Sequence, residues 1–221
     1  MLKLNILVPS IKKAYYDDTT AQANLKKIET VIRPQFGKII NNISKISNVP
    51  TQIIESFIFI ESGGDPNAQS PYAVGLMQVS LATASDAIIK EKGAGRLSVA
   101  EAEIIKKTLG SRYAIVQAVK PKQKSIGKTF ITKTDLLNPE FNILIGTIIV
   151  KQLIDEFTEK NGRIRMDKVI SIYNAGRYGK TSKKIIASKE PIDKIIKILP
   201  TETKNYILKL LGERGILDTI V

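Results

Sequence analysis

The sequence predicts a mainly α-helical protein. Three observations carry this: apolar residues recur at helical spacing in segment after segment, no stretch alternates at strand spacing for more than a few positions, and glycine, proline and capping residues punctuate the chain at helix-length intervals. A small hairpin is the one addition left open. At 221 residues with 43% hydrophobic content the chain can fill one sizeable core. Its longest uncharged apolar run, Ile143 to Val150, is bounded by Asn142 and Lys151 and is far too short to span a bilayer, so it reads as a buried helix segment.

The elements follow in order. A first helix over 19–32 places Leu25, Ile28, Val31 and Ile32 at helical spacing, and Arg33-Pro34 is expected to end or interrupt it. A second covers about 36–47 and stops before Asn48-Val49-Pro50. Thr51 is the expected cap of the third, with Glu55 just inside its first turn, where a negative charge suits the helix dipole. Ser62-Gly63-Gly64 stops that helix, and Asp65-Pro66-Asn67 has turn chemistry. Gly75 to Gln78 is expected to lead into a helix continuing through Ala82 to Lys90. Ser98 with Glu101 forms a capping-box pattern before the next helix, and Gly110 stops it.

From Arg112 to Thr134 the chain is basic and broken by Pro121 and Gly127, which predicts a long loop or small hairpin. Asn138-Pro139-Glu140 starts a long apolar helix to about Phe157, and Asn161-Gly162 is a turn. A helix near 166–175 carries "VISIYNAG", a lysine-rich loop follows, and two short helices close the chain around 191–199 and 201–211, the second capped by Thr201 and ended by Gly212.

Composition narrows the chemistry. With no histidine and no cysteine, there is neither an imidazole base nor a thiolate, and catalysis must run on carboxylates, Lys, Tyr, Ser or Thr, with no cofactor or metal site indicated. Lys plus Arg number 34 against 21 Asp plus Glu, a formal charge of +13, which favours a polyanionic partner: nucleic acid, an anionic membrane or bacterial cell wall. A solvated basic surface explains the excess equally well. The basic residues lack the aromatic interleaving of a single-strand platform, so no nucleic-acid partner is expected. The opening residues, interrupted by Lys3 and Asn5, do not read as a signal peptide: either export takes another route or a leader is absent from this sequence.

One residue breaks the pattern. Ile53, Ile54, Phe57 and Ile58 mark one stripe of the third helix, and its next position is Glu61. Desolvation there, and the negative end of the helix dipole, both favour a protonated carboxyl that could serve as a general acid. Considered alone, a glutamate near a helix end is more often solvated.

The stretches "ESGGDPNAQS", "AVGLMQ", "NPEFNILIG", "SIYNAG" and "LPTETKNYI", in that order across about 36–210, resemble the soluble lytic transglycosylase family, relatives of goose-type lysozyme. The resemblance implies a lysozyme-like helical fold with a cleft for peptidoglycan glycan strands. It divides the chain into a helical N-terminal extension, 1–35, and a catalytic domain, 36–221, with a longer insertion at about 84–134. It implies that Glu61 protonates the glycosidic oxygen between N-acetylmuramic acid and N-acetylglucosamine and then accepts the C6 hydroxyl proton, leaving a 1,6-anhydro product. Ser70, Met77 and Gln78 match positions that shape or contact the sugar cleft, Tyr173 and Asn174 match the pair facing the acid, and Tyr206 matches a tyrosine whose hydroxyl approaches it. The family's loop usually has a glycine before the "AVG", whereas "SPYAVG" is one residue shorter and puts Tyr72 where small residues are common.

The resulting expectation is a peptidoglycan lytic transglycosylase, a monomer acting in the wall or periplasm, with a phage virion or lysis setting slightly favoured. Anionic wall polymers are further partners in this reading. Three alternatives stay open from sequence: a hydrolase (muramidase) of the same fold, a non-catalytic wall-binding component and, less favoured, a basic nucleic-acid module.

Overall fold

Residues 11–177, 179–190 and 192–220 are described by a computed structural model of the chain. Residues 1–10, which hold most of the stretch considered above as a leader, lie outside the described residues. The helices are α1 Asp18–Lys27, α2 Arg33–Ser47, α3 Thr51–Ser62, α4 Leu81–Gly93, α5 Val99–Leu109, α6 Tyr113–Gln117, α7 Lys133–Leu136, α8 Pro139–Phe157, α9 Met166–Ala175, α10 Lys180–Ala187, α11 Ile192–Ile195, α12 Thr201–Leu211 and α13 Ile216–Thr219. Among the described residues, β pairing is confined to isolated bridges, so the helical class predicted from sequence holds. No helix among them is long and apolar enough to cross a membrane.

Two compact units emerge, Val31–Ile149 and Met1–Thr30 with Val150–Val221. In the first, α2 packs on α3 and α5, and α6 packs on α4 and α5. The stripe of α3 is its centre: Ile53, Ile54, Phe57 and Ile58 are each 2% exposed or less. Burial of each such side chain contributes about 1.5–3 kcal/mol before conformational entropy is subtracted.

Three local expectations are corrected here. Pro34 does not end a helix: a π-helical turn, Ile28–Ile32, leads from α1 into α2, with Pro34 in the first turn, where no donor is required of it. Thr51 is not a cap. Pro50 occupies that position, and the Thr51 hydroxyl donates to Gln52 Oε1 at 3.2 Å. Helix α4 begins only at Leu81, where Ser80 Oγ accepts from the Thr83 N–H at 3.1 Å, and the residues after Gly75 form a turn instead.

The capping box of Ser98 and Glu101 forms as expected. The basic segment that follows contains α6 and α7 and no hairpin among the described residues. Its loop is bolted to α4: Lys122 N–H donates to the Gly93 carbonyl at 2.6 Å, Ser125 Oγ to Asp86 at 2.6 Å, and Phe130 N–H to Ser85 Oγ at 3.1 Å. A side chain on Gly93 would collide with the Gln123 backbone, so glycine there permits the close crossing. Arg112 closes the loop with bonds to Asp135 at 2.7 and 2.8 Å and to the Phe130 carbonyl at 3.0 Å.

In the second unit, α12 and α10 pack on α9, and α13 packs on α1 and α12. The lysine-rich stretch expected to be a loop holds α10, whose Ile185 and Ser182 face inward while its lysines stay outside. The buried Asp167 is paired with Arg165 at 2.6 Å, and Lys168 Nζ donates to the Ile186 and Ser188 carbonyls at 3.0 and 2.7 Å. Burial, chiefly, together with the charge of Arg165, lowers the Lys168 pKa from its ordinary value. Thr201 is not a cap either, since Pro200 precedes α12 in that position.

Candidate active site

Glu61 is the penultimate residue of α3 and is half-buried. The helix must end there because Gly63 takes a left-handed conformation, φ 63°, and returns its N–H to the Phe59 carbonyl at 2.9 Å. Gly64 follows at φ 89°, and a Cβ on it would stand 3.0 Å from Ile32 Cγ1. Two glycines thus serve different ends: one reverses the helix and the other lets the chain pass close against the start of α2.

The loop from Asp65 to Ser80 is held by its own polar groups. Asp65 Oδ1 accepts from the Asn67 N–H at 2.9 Å, the turn chemistry read from sequence. Ser70 is exposed, and its Oγ accepts from the N–H groups of Tyr72 and Ala73 at 3.3 and 3.0 Å. With Ser70 N–H donating to the Ala73 carbonyl at 2.9 Å, the shortened "SPYAVG" segment closes as a tight turn with Pro71 and Tyr72 at its tip. Tyr72 is 85% exposed. Val74 then exchanges hydrogen bonds with Val79, both at 3.1 Å.

Gln78 has φ 44°, a left-handed conformation that a non-glycine residue holds at a cost of about 1–3 kcal/mol unless its surroundings enforce it. Here its side chain does the enforcing. Nε2 donates to the carbonyls of Ala68 at 3.0 Å and Gly75 at 2.9 Å, so both amide hydrogens hold the loop and Oε1 is the group it can offer a ligand. Met77 is 0% exposed, and a side chain on Gly146 of α8 would collide with its thioether. Met77 therefore seats the loop on α8 and presents no surface for direct contact with a sugar.

Sequence reasoning missed Asn142. Fully buried on α8, it donates through Nδ2 to the carbonyls of Val74 and Leu136 at 2.8 and 2.9 Å and accepts at Oδ1 from the Met77 N–H at 2.8 Å. A Cβ on Gly75 would strike this amide and the Leu136 carbonyl, which is why glycine stands there at φ 79°. The signal was present as a lone polar residue within "FNILIG".

The acids nearest to Glu61 in sequence have other occupations. Asp65 is exposed in its turn, and Glu55, 5% exposed, takes a bidentate bond from Arg33 at 2.9 and 3.0 Å. Glu61, Ser70, Met77 and Gln78 belong to the unit Val31–Ile149, and Tyr173, Asn174 and Tyr206 to the other. Tyr173 and Asn174 are half-buried in the last turn of α9, which ends at Gly176, and Tyr206, 8% exposed, lies on α12, the helix packed on α9.

Against this geometry, residues 38–104 match the family model of the transglycosylase SLT domain. The match covers α3, Glu61 and the whole loop to α4, and over these residues it bears out the resemblance to the soluble lytic transglycosylases and the lysozyme-like helical class. No curated protein matches the chain.

Proposed function

We propose that this protein is a peptidoglycan lytic transglycosylase that cleaves the β-1,4 bond between N-acetylmuramic acid and N-acetylglucosamine, with Glu61 as its single acid and base. The SLT-type match supports a peptidoglycan-directed, transglycosylase-type activity in general. The observation that carries the finer reading is Glu61 itself: a half-buried acid in the last turn of α3, followed directly by a loop braced by its own hydrogen bonds, with Asp65 and Glu55 already committed to structural bonds.

Glu61 donates its proton to the glycosidic oxygen, the bond to C1 breaks, and the N-acetylglucosamine fragment leaves as an alcohol. The positive charge developing at C1 is met by the neighbouring N-acetyl group of the substrate. Glu61, now a carboxylate, takes the proton of the C6 hydroxyl, and that oxygen bonds to C1 to close the 1,6-anhydro ring. No water is consumed, so one carboxylate suffices where ordinary glycosidases use two.

Ser70, the Gln78 Oε1, Tyr173, Asn174 and Tyr206 bind the glycan in this reading, and Met77 shapes the loop. The excess of basic residues suits anionic wall polymers. A phage virion or lysis enzyme is the setting we favour. Glu61→Gln keeps the size and hydrogen-bonding capacity of the side chain while removing the proton to be donated. It should lower lysis of purified walls by at least about 100-fold with the fold intact; undiminished lysis would refute the assignment.

A further inference from the structure

Gly37 stands in the interior of α2, where glycine costs about 0.8–1 kcal/mol relative to alanine. Neither usual reason for a glycine applies to it: its φ is not left-handed, and a Cβ built on it meets nothing within 4 Å. It faces instead a cavity of about 620 Å³ formed by α2 and the start of α3, a size suited to a small ligand.

Most residues lining this groove carry polar side chains. Arg33 and Glu55 form its one matched ion pair, with Glu55 buried and the guanidinium side chain 39% exposed. Lys38 is exposed in the lining and pairs with no carboxylate among the described residues, so the groove carries one positive charge beyond the matched pair. Gln35, Asn41 and Gln52 add carboxamides, which pair with amide and hydroxyl groups. Only Pro34 brings an apolar ring.

We propose that this groove binds a carboxylate-bearing peptide. The ligand backbone lies against Gly37, where any side chain would stand in its way, its carboxylate meets Lys38, and its amides pair with the carboxamides of α2 and α3. Resting on the function proposed above, the source is the peptide stem of peptidoglycan, whose residues carry free carboxylates. Glu55 lies six residues before Glu61, about 120° away around α3, so the groove is a second contact with the substrate, separate from the acid.

The test uses a synthetic stem tetrapeptide with free carboxylates and the same peptide fully amidated, titrated calorimetrically into the full chain. The free acid should bind, the amidated form at least about tenfold more weakly, and Lys38→Gln should weaken the free acid by about the same factor. Gly37→Leu should weaken it at least about tenfold while leaving the melting temperature no lower than that of the parent, because leucine favours the helix and meets open space. Absence of binding to the parent, or equal affinity across both variants, overturns the proposal. Cleavage of peptide-free glycan strands, followed in parallel, separates the two readings. Cleavage without peptide binding removes the groove proposal alone; Gly37-dependent binding without cleavage by the parent removes the enzymatic reading and leaves the groove as a peptide site.

Discussion

Replacing Asn142 by leucine, a side chain of the same branching but larger volume, would remove three hydrogen bonds of 2.8–2.9 Å at a fully buried position. The Met77 N–H and the carbonyls of Val74 and Leu136 would lose those partners inside the protein. The Val74 carbonyl keeps the Val79 N–H at 3.1 Å, and each of the other two buried groups stripped of a partner costs about 1–3 kcal/mol, so the sum is about 2–6 kcal/mol, against a total stability of about 5–15 kcal/mol for a typical domain. Asn142→Asp should cost a comparable amount, since it keeps the acceptor for Met77 but turns a second oxygen toward two carbonyls. Urea unfolding followed by circular dichroism measures the loss, and wall lysis at a temperature where the variant stays folded reads the loop. A loss below about 1 kcal/mol, the size of an ordinary surface substitution, would show that Asn142 does not hold the loop after Glu61.

Other expectations concern the same unit. Gly64→Ala should destabilise by about 1–3 kcal/mol in urea unfolding, because it combines a left-handed φ with a Cβ 3.0 Å from Ile32. Burial by itself would raise the Asp135 pKa, but hydrogen bonds from Arg112 and from the Thr132 backbone and hydroxyl outweigh it and hold the carboxyl below its ordinary value. A folded-state pKa below the unfolded value of about 3.9 gives stability that is whole above that pH and is lost as pH falls through the folded value. Asp135→Asn should therefore be less stable than the parent at neutral pH and show a shallower acid dependence of the urea midpoint. Tyr72→Ala should leave stability within about 0.5 kcal/mol, given its exposure, yet raise the KM for glycan fragments, with Tyr72→Trp restoring it; an unchanged KM would show that the tip of the shortened loop takes no part in binding.

What the sequence disclosed depended on the range of the interaction that decided each feature. Helices governed by their own periodicity and local caps, α5 with its capping box and α8 beginning after Asn138, were legible. Helix α9 was placed at its observed bounds, and the turn residues Asp65 and Gly63 were read from local chemistry alone. Pro34 misled because the π turn before it restarts the helix, and α10 was hidden because three lysines mask an inward face that only its packing on α9 explains. The loop after Glu61 was recognised by motif, whereas its support by Asn142, 65 residues from Met77, is a long-range bond that no local pattern reports. Gln78 stands out by motif, whereas the clamp its amide forms on its own strained backbone depends on a φ of 44° and on bonds to Ala68 and Gly75 that the sequence does not report.

The central claim is that Glu61 acts as both acid and base with no water entering the reaction. Mass spectrometry of the soluble products from purified peptidoglycan tests it most directly, with the parent and Glu61→Gln run side by side. The account predicts muropeptides lighter by one water than hydrolytic products, ending in 1,6-anhydro-muramoyl residues with no new reducing end, and none from Glu61→Gln. Reducing-end muropeptides from the parent, or anhydro products surviving in Glu61→Gln, would contradict it.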